Sequence, residues 1–158
     1  MTTDLTSRKL IKPKLLHRAH IKKKLDSIFD TPLFFIVSGM GFGKTTAVRN
    51  YIRKKRNIRY FWFMFDQEET EDIWEWVRFC KKLESTNSEL SKKLLKYGLP
   101  YSKSDLDRLT DIVASYIEME TVVIFDDVHR CKSNFIKEII EDIVFRDIKG
   151  LHIVAISQ

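Results

Sequence analysis

The chain predicts an α/β fold: a mainly parallel sheet with helices on both faces. Three observations predict it. Short apolar runs such as Leu33-Phe34-Phe35-Ile36-Val37 and Val122-Val123-Ile124-Phe125 have strand length and no polar alternation, as strands buried on both faces require. Segments with helical apolar spacing alternate with such runs, which implies right-handed crossovers between parallel strands. A glycine-rich stretch, Ser38-Gly39-Met40-Gly41-Phe42-Gly43-Lys44-Thr45-Thr46, sits between the first apolar run and a helix-like segment. The 158 residues suit one domain, in which 1–32 form a lead segment and helix and 33–158 the core.

The elements follow in order. Leu10 to Leu16 read as a short extended lead, and a helix runs from about Arg18 to Phe29 until Asp30-Thr31-Pro32 breaks it. Leu33 to Val37 form the first strand, and Thr45 to Lys55 a helix after the glycine-rich stretch. Ile58 to Phe65 form the second strand; its run Tyr60-Phe61-Trp62-Phe63-Met64-Phe65 is unbroken by polar residues, which favours a core strand over a base-stacking platform. Thr70 can cap a helix to about Glu84, with Ile73, Val77 and Cys80 on one face and Trp74 and Trp76 flanking it as core or interface side chains. Asn87 to Lys96 read as a helix ended by Gly98 and Pro100. Ser104-x-x-Asp107 opens the next, whose apolar face is Leu109, Ile112, Val113, Tyr116 and Ile117. A third strand ends at Asp126. Ser133 to Ile148 form an amphipathic helix with Phe135, Ile136, Ile139, Ile140 and Ile143 at helical spacing, Gly150 is placed to end it, and Leu151 to Ile156 form the fourth strand. The chain has no internal repeat and no low-complexity segment.

Composition narrows the function. The formal net charge of +6 invites a nucleic-acid reading through Lys22-Lys23-Lys24 and Arg53-Lys54-Lys55-Arg56. Ile21, Leu25 and Ile28 interleave with the first run at helical spacing, so solvated helix faces and helix ends account for both. No Cys/His finger, RNA-stacking motif or helix-turn-helix pattern is present. Cys80 and Cys131 lack metal-ligand spacing and read as free thiols of a reducing compartment. The first thirty residues lack the apolar core of a signal peptide, and no apolar run reaches membrane-spanning length, so a cytoplasmic location is expected.

The glycine-rich stretch has the residue types that a polyphosphate needs. Glycines let backbone N–H groups curve around the anion and approach it closely, and the helix that follows adds its positive end. Gly39, Gly41 and Gly43 supply the permissive positions, Lys44 a mobile charge for the β- and γ-phosphates, and Thr45 a hydroxyl for Mg²⁺. The strict Walker A pattern has glycine where this chain has Ser38. Thr121-Val122-Val123-Ile124-Phe125-Asp126-Asp127 has the form of the second, Walker B, element. Its side chains are apolar until the strand leaves the sheet at the carboxyl edge, where ligands bind in open α/β folds. Asp126 then faces the metal held by Thr45, and Asp127 is placed to polarise an attacking water.

These pieces, with the aromatic strand leading to Asp66, the segment Val122-Val123-Ile124-Phe125-Asp126-Asp127-Val128-His129 and Leu151 to Ser157, together resemble the nucleotide-binding domain of signal-transduction ATPases with numerous domains. Within that class the likeness is to large LuxR-family transcriptional regulators of the maltose-regulon activator type. It spans nearly the whole chain, including Lys12-Pro13-Lys14 and Arg18 before the first strand. The resemblance implies a P-loop NTPase three-layer sandwich of strand order 1-4-3-2 that binds ATP and Mg²⁺, hydrolyses slowly and acts as a switch for self-association. It implies that Gly39, Gly41, Phe42, Gly43, Lys44, Thr45, Thr46 and Arg18 hold the nucleotide, that Thr45 and Asp126 hold the metal, and that Asp127 and Lys44 are catalytic. No guanine-reading Asn-Lys-x-Asp is present, so adenine is the expected base. DNA binding would lie in other domains of a parent protein.

Two departures from the family stand out. The family closes its fourth strand with Ser-Arg, and this chain has Ser157-Gln158, a neutral side chain that cannot neutralise a γ-phosphate. Related cores also carry a fifth strand beyond the first, so the 158 residues are expected to be a fragment of a longer regulator, truncated after the fourth strand. Secondary candidates are His129 near the metal, Asp66 and Gln67 on the ligand-facing edge, and Arg130 or Arg146 as a residue reaching a neighbouring subunit. Two other functions stay open: a nucleotide-binding but inert interaction module, and a small-molecule kinase, against which the absence of an arginine-rich lid counts.

Overall fold

The computed structural model describes residues 19–66 and 71–158. In chain order it has α1 (Ala19–Asp26) with a 3-10 turn over Ser27–Asp30, β1 (Leu33–Val37), α2 (Lys44–Arg53), β2 (Arg59–Met64) and α3 (Asp72–Leu83). Then come α4 (Ser88–Tyr97), α5 (Lys103–Ser115), β3 (Thr121–Asp126), a 3-10 turn over Val128–Arg130, α6 (Asn134–Arg146) and β4 (Leu151–Ser157). All pairings are parallel, as the alternating pattern predicts, and the order is β1-β4-β3-β2, the one the resemblance implies. The last strand in the sequence therefore lies inside the sheet. Within it Ile153 pairs with Leu33 on one side and with Val123 on the other. Every residue of β4 is buried, and β3 nearly matches it.

Alternation along the strands divides the core into two. Val122, Ile124, Val154 and Ile156 pack with Leu25 and Ile28 before β1 and with Val48, Tyr51 and Ile52 of α2. Phe61, Phe63, Phe125, Leu151 and Ile153 point the other way, against α3 to α6. The first layer is aliphatic and sewn at its rim: Tyr51 donates to Asp26 at 2.6 Å, and Lys55 pairs with Asp26 at 3.2 Å while lying over the Tyr51 ring. Lys22, Lys23 and Lys24 are exposed, as solvated-face residues should be. The second layer is aromatic. Phe79 meets Phe61 and Phe63 edge-on at 5.3 and 5.4 Å and stacks on Trp76 at 6.0 Å.

That aromatic packing sets the rotation of α3. Ile73, Val77 and Cys80 are the face that spacing suggests, yet Trp76, Phe79, Cys80 and Leu83 go inward while Ile73 and Trp74 are exposed. Two ring systems bury more area than Ile73 and Val77, and the larger burial wins. Trp76 is thus core and Trp74, 63% exposed, is surface. The residue expected to cap this helix, Thr70, lies outside the described residues.

The start of α5 also differs from the expected one. Ser102, not Ser104, is the cap, accepting from the Asp105 N–H at 3.1 Å, and the Asp105 carboxylate accepts from the Tyr101 N–H at 3.2 Å. Asp107, the acidic partner expected for Ser104, turns instead to Arg146 of α6 at 3.1 Å. Nearby, Asp142 of α6 is buried and accepts from Thr110 at 2.9 Å and from Lys103. Burial raises the pKa of Asp142, but these two donors more than offset it and hold the carboxyl below its ordinary value. At the far edge β1 is not buried on both faces as its unbroken apolar run predicts: among the described residues β4 is its one ladder partner, and Leu33, Phe35 and Val37 are exposed on the face turned from α1 and α2, because no described helix or strand covers that side of the edge. No helix among the described residues is long and apolar enough to cross a membrane.

Two measurements check these assignments. Ser102→Ala should lower the unfolding free energy by about 1 kcal/mol and Ser104→Ala by less than about 0.5 kcal/mol in urea titrations; equal losses would return the cap to Ser104. Both cysteines are free and buried, and burial pushes the Cys80 thiol up to about 12 and raises Cys131 as well. Since only the thiolate attacks, a chromogenic disulfide reagent at pH 8 should leave the native protein unmodified for hours and label two thiols after denaturation.

Candidate functional site

The glycine-rich stretch 38–43 leaves the carboxyl end of β1 and enters α2 at Lys44. Gly41 and Gly43 have φ of 80° and 71°, values that side chains with a β-carbon rarely adopt, so the turn depends on glycine at these two places. Gly43 caps α2 with no side-chain hydrogen bond. The first N–H groups of a helix have no partner within it, so the backbone of Lys44, Thr45 and Thr46 offers donors and positive potential to the carboxyl edge of the sheet. Lys44 starts the helix one residue earlier than its expected start at Thr45, and its ammonium turns back on the stretch, donating to the carbonyls of Ser38 and Gly39. Phe42 is 77% exposed with its ring over Gly39, and Thr46 is exposed.

Across the edge stands Asp126, the last residue of β3 and 2% exposed. The Thr45 hydroxyl donates to its Oδ1 at 3.2 Å, joining residues 81 apart in sequence. The Asp127 N–H donates to the same oxygen at 3.1 Å. Oδ2 is buried with no hydrogen-bond partner among the described residues. A carboxylate oxygen taken out of water without a donor is costly, and an anionic oxygen beside a hydroxyl is the donor set that a hard divalent cation accepts. The residues present therefore fit a magnesium ion. Among the described residues no group of three or more His, Cys, Asp or Glu side chains gathers, so further ligands would be water or phosphate oxygens.

The chain leaves β3 sharply. Asp127 sits at φ 57°, ψ 42°, the left-handed region, which costs a residue with a β-carbon on the order of 1 kcal/mol. Such outliers concentrate where the backbone must aim a side chain. The turn brings Arg130 back on Asp127, with guanidinium and carboxylate 3.5 Å apart. His129, next in the turn, accepts from the Gln158 N–H at 3.4 Å, which ties the turn after β3 to the end of β4. Sequence reading proposed His129 and Gln158 separately and gave no sign of their contact, which arises only because β4 inserts beside β3.

The remaining candidates divide. Asp66 is exposed just beyond β2 on the same edge. Gln67 and Arg18 lie outside the described residues. Arg146 is not at the edge: it is held on the helical layer by Asp107 and Asp111, each at 3.1 Å. Arg78 was not singled out from sequence. From α3 it takes the Met64 carbonyl at 3.1 Å, pairs with the buried Glu75 at 2.7 Å and lies over Phe63 at 4.4 Å, so it fixes the end of β2. Its only sequence signal is a Glu-x-x-Arg spacing on a helix.

Glycine-rich turn, helix start, buried carboxylate and hydroxyl thus converge on one edge of the sheet, while the comparisons add no relative: no protein-family model matches the chain, and no curated protein matches it.

Proposed function

We propose that this domain binds a nucleoside triphosphate with magnesium, ATP by the expectation above, and hydrolyses it slowly as the switch of a signal-responsive regulator of the class it resembles. The contact between Thr45 and Asp126, with Oδ2 of Asp126 buried and unpartnered, is the observation that carries this reading. A glycine-rich turn that bound nothing would have no need of a buried carboxylate behind it.

The residues then act as follows. The N–H groups of 43–46 and the start of α2 receive phosphate oxygens. Lys44 exchanges the carbonyls of Ser38 and Gly39 for the β- and γ-phosphates, an exchange favoured because a phosphate is anionic and a carbonyl is not. Thr45 and Asp126 hold the metal. A magnesium ion held there would supply positive charge to offset that of the phosphates. Asp127, aimed by its left-handed backbone, accepts a proton from water attacking the terminal phosphate. His129 and Gln158, joined at the end of β4, sit where a change at the phosphates is passed to the neighbouring strand.

One observation favours the inert-module reading. Asp127 already faces Arg130 at 3.5 Å, so its carboxylate is engaged within the chain rather than held open toward a water. Phosphate release decides between the two readings.

Two variants test the proposal. Lys44→Ala should weaken Mg-ATP binding in calorimetry by at least about tenfold, because a charge-assisted hydrogen bond contributes roughly 1.5–3 kcal/mol; unchanged affinity would remove the phosphate assignment. Asp127→Asn should leave ATP affinity within a few-fold and cut phosphate release by about 100-fold or more, the usual share of a general base. A wild type that binds ATP yet releases no phosphate would establish the inert module.

A further inference from the structure

Between the aromatic face of the sheet and helices α3 to α6 lies a cavity of about 80 Å³. Phe61, Phe79, Leu109, Val113, Ile139 and Ile143 are among its walls, and none of its lining residues is acidic. Arg59, Thr86, Asn87, Tyr116 and Thr121 also border it, yet they turn carbon toward the space, and almost none of the wall is polar. Three of these side chains spend their polar groups on the backbone. The Thr86 hydroxyl donates to the Tyr60 carbonyl, the Thr121 hydroxyl donates to the Met119 carbonyl, and the Asn87 side chain accepts from the Leu90 N–H at the start of α4.

That wall decides what the space can hold. An ordered water needs two or more polar partners, and a cavity without them stays dry. A carboxylate, an ammonium group, an alcohol or a sugar entering it would surrender hydrogen bonds to water and regain none. A molecule with no hydrogen-bonding group loses nothing of this kind. It also restores to the lining side chains the dispersion contacts that they lack across an empty space. Volume sets the other limit. An apolar cavity of about 150 Å³ admits benzene, and this one, at about 80 Å³, has room for something smaller than a six-membered ring.

We infer that this cavity is a binding site for a small neutral molecule without hydrogen-bonding groups, of the class of the short hydrocarbons. The site lies on the face of the sheet covered by α3 to α6, whereas α2, which starts at the glycine-rich turn, packs on the other face. Its occupancy is measured without nucleotide.

Propane and ethanol are the matched probes, equal in heavy atoms and different by a hydroxyl. Each is titrated into the methyl-¹³C-labelled chain while the methyl resonances of Leu109, Val113, Ile139 and Ile143 are followed. Propane should move them saturably and bind at least about tenfold more tightly than ethanol, and xenon under pressure should move the same set. A wild type whose lining methyls ignore both propane and xenon, or that takes ethanol as tightly as propane, overturns the inference without any variant. Ile143→Phe, which fills part of the space, should weaken propane by at least about tenfold; undiminished binding would place the molecule elsewhere and overturn the cavity assignment. Leu109→Ala, which enlarges the space, should take up benzene, which the wild type excludes, and equal benzene binding by the two chains would overturn that assignment as well.

Discussion

Burial of β3 and β4 on both faces is the constraint on which the rest of this domain depends. A strand covered above and below can carry polar side chains only where it leaves the sheet. β4 is buried along its whole length, and β3 stays apolar from Val122 to Phe125. Asp126 therefore falls at the first position where a carboxylate is tolerable, and that position is the edge that receives the turn after β1. The chemistry of the edge is a consequence of the apolar sheet beneath it.

The two faces solve their packing differently. The face toward α1 and α2 uses branched aliphatic side chains and closes at its rim through Asp26, Tyr51 and Lys55. The face toward α3 to α6 uses phenylalanines and a tryptophan in edge-on and stacked pairs. Rings contribute large areas but have rigid outlines, so four helices laid over them leave space that aliphatic side chains would have filled. The compact face positions the start of α2; the looser one supplies the interior cavity.

Much of this was legible in the sequence where a residue type has one physical use. The strand run 33–37, the glycines with left-handed backbone and the carboxylates after Phe125 each answer a need stated by local chemistry, whereas the sheet order was expected only through the resemblance. What was not legible depends on choices between near-equal local options. Ser102 and Ser104 both precede an acidic residue at capping distance, and the pull of Arg146 on Asp107 decides between them. The rotation of α3 turns on rings of another strand, and the joining of His129 to Gln158 on strand insertion. None of these contacts is local, so no window of sequence contains them.

The position of β4 also sets an order of events. It comes last among the described elements yet lies between β1 and β3, so β1 has no ladder partner until residues 151–157 exist. During synthesis the first-made strand and the turn that follows it must wait while more than a hundred residues are added, since Leu33 meets Ile153. Pairings so distant in sequence carry the largest closure cost and form slowly. On the ribosome, the glycine-rich turn is among the first parts of the domain to emerge and among the last to acquire its shape.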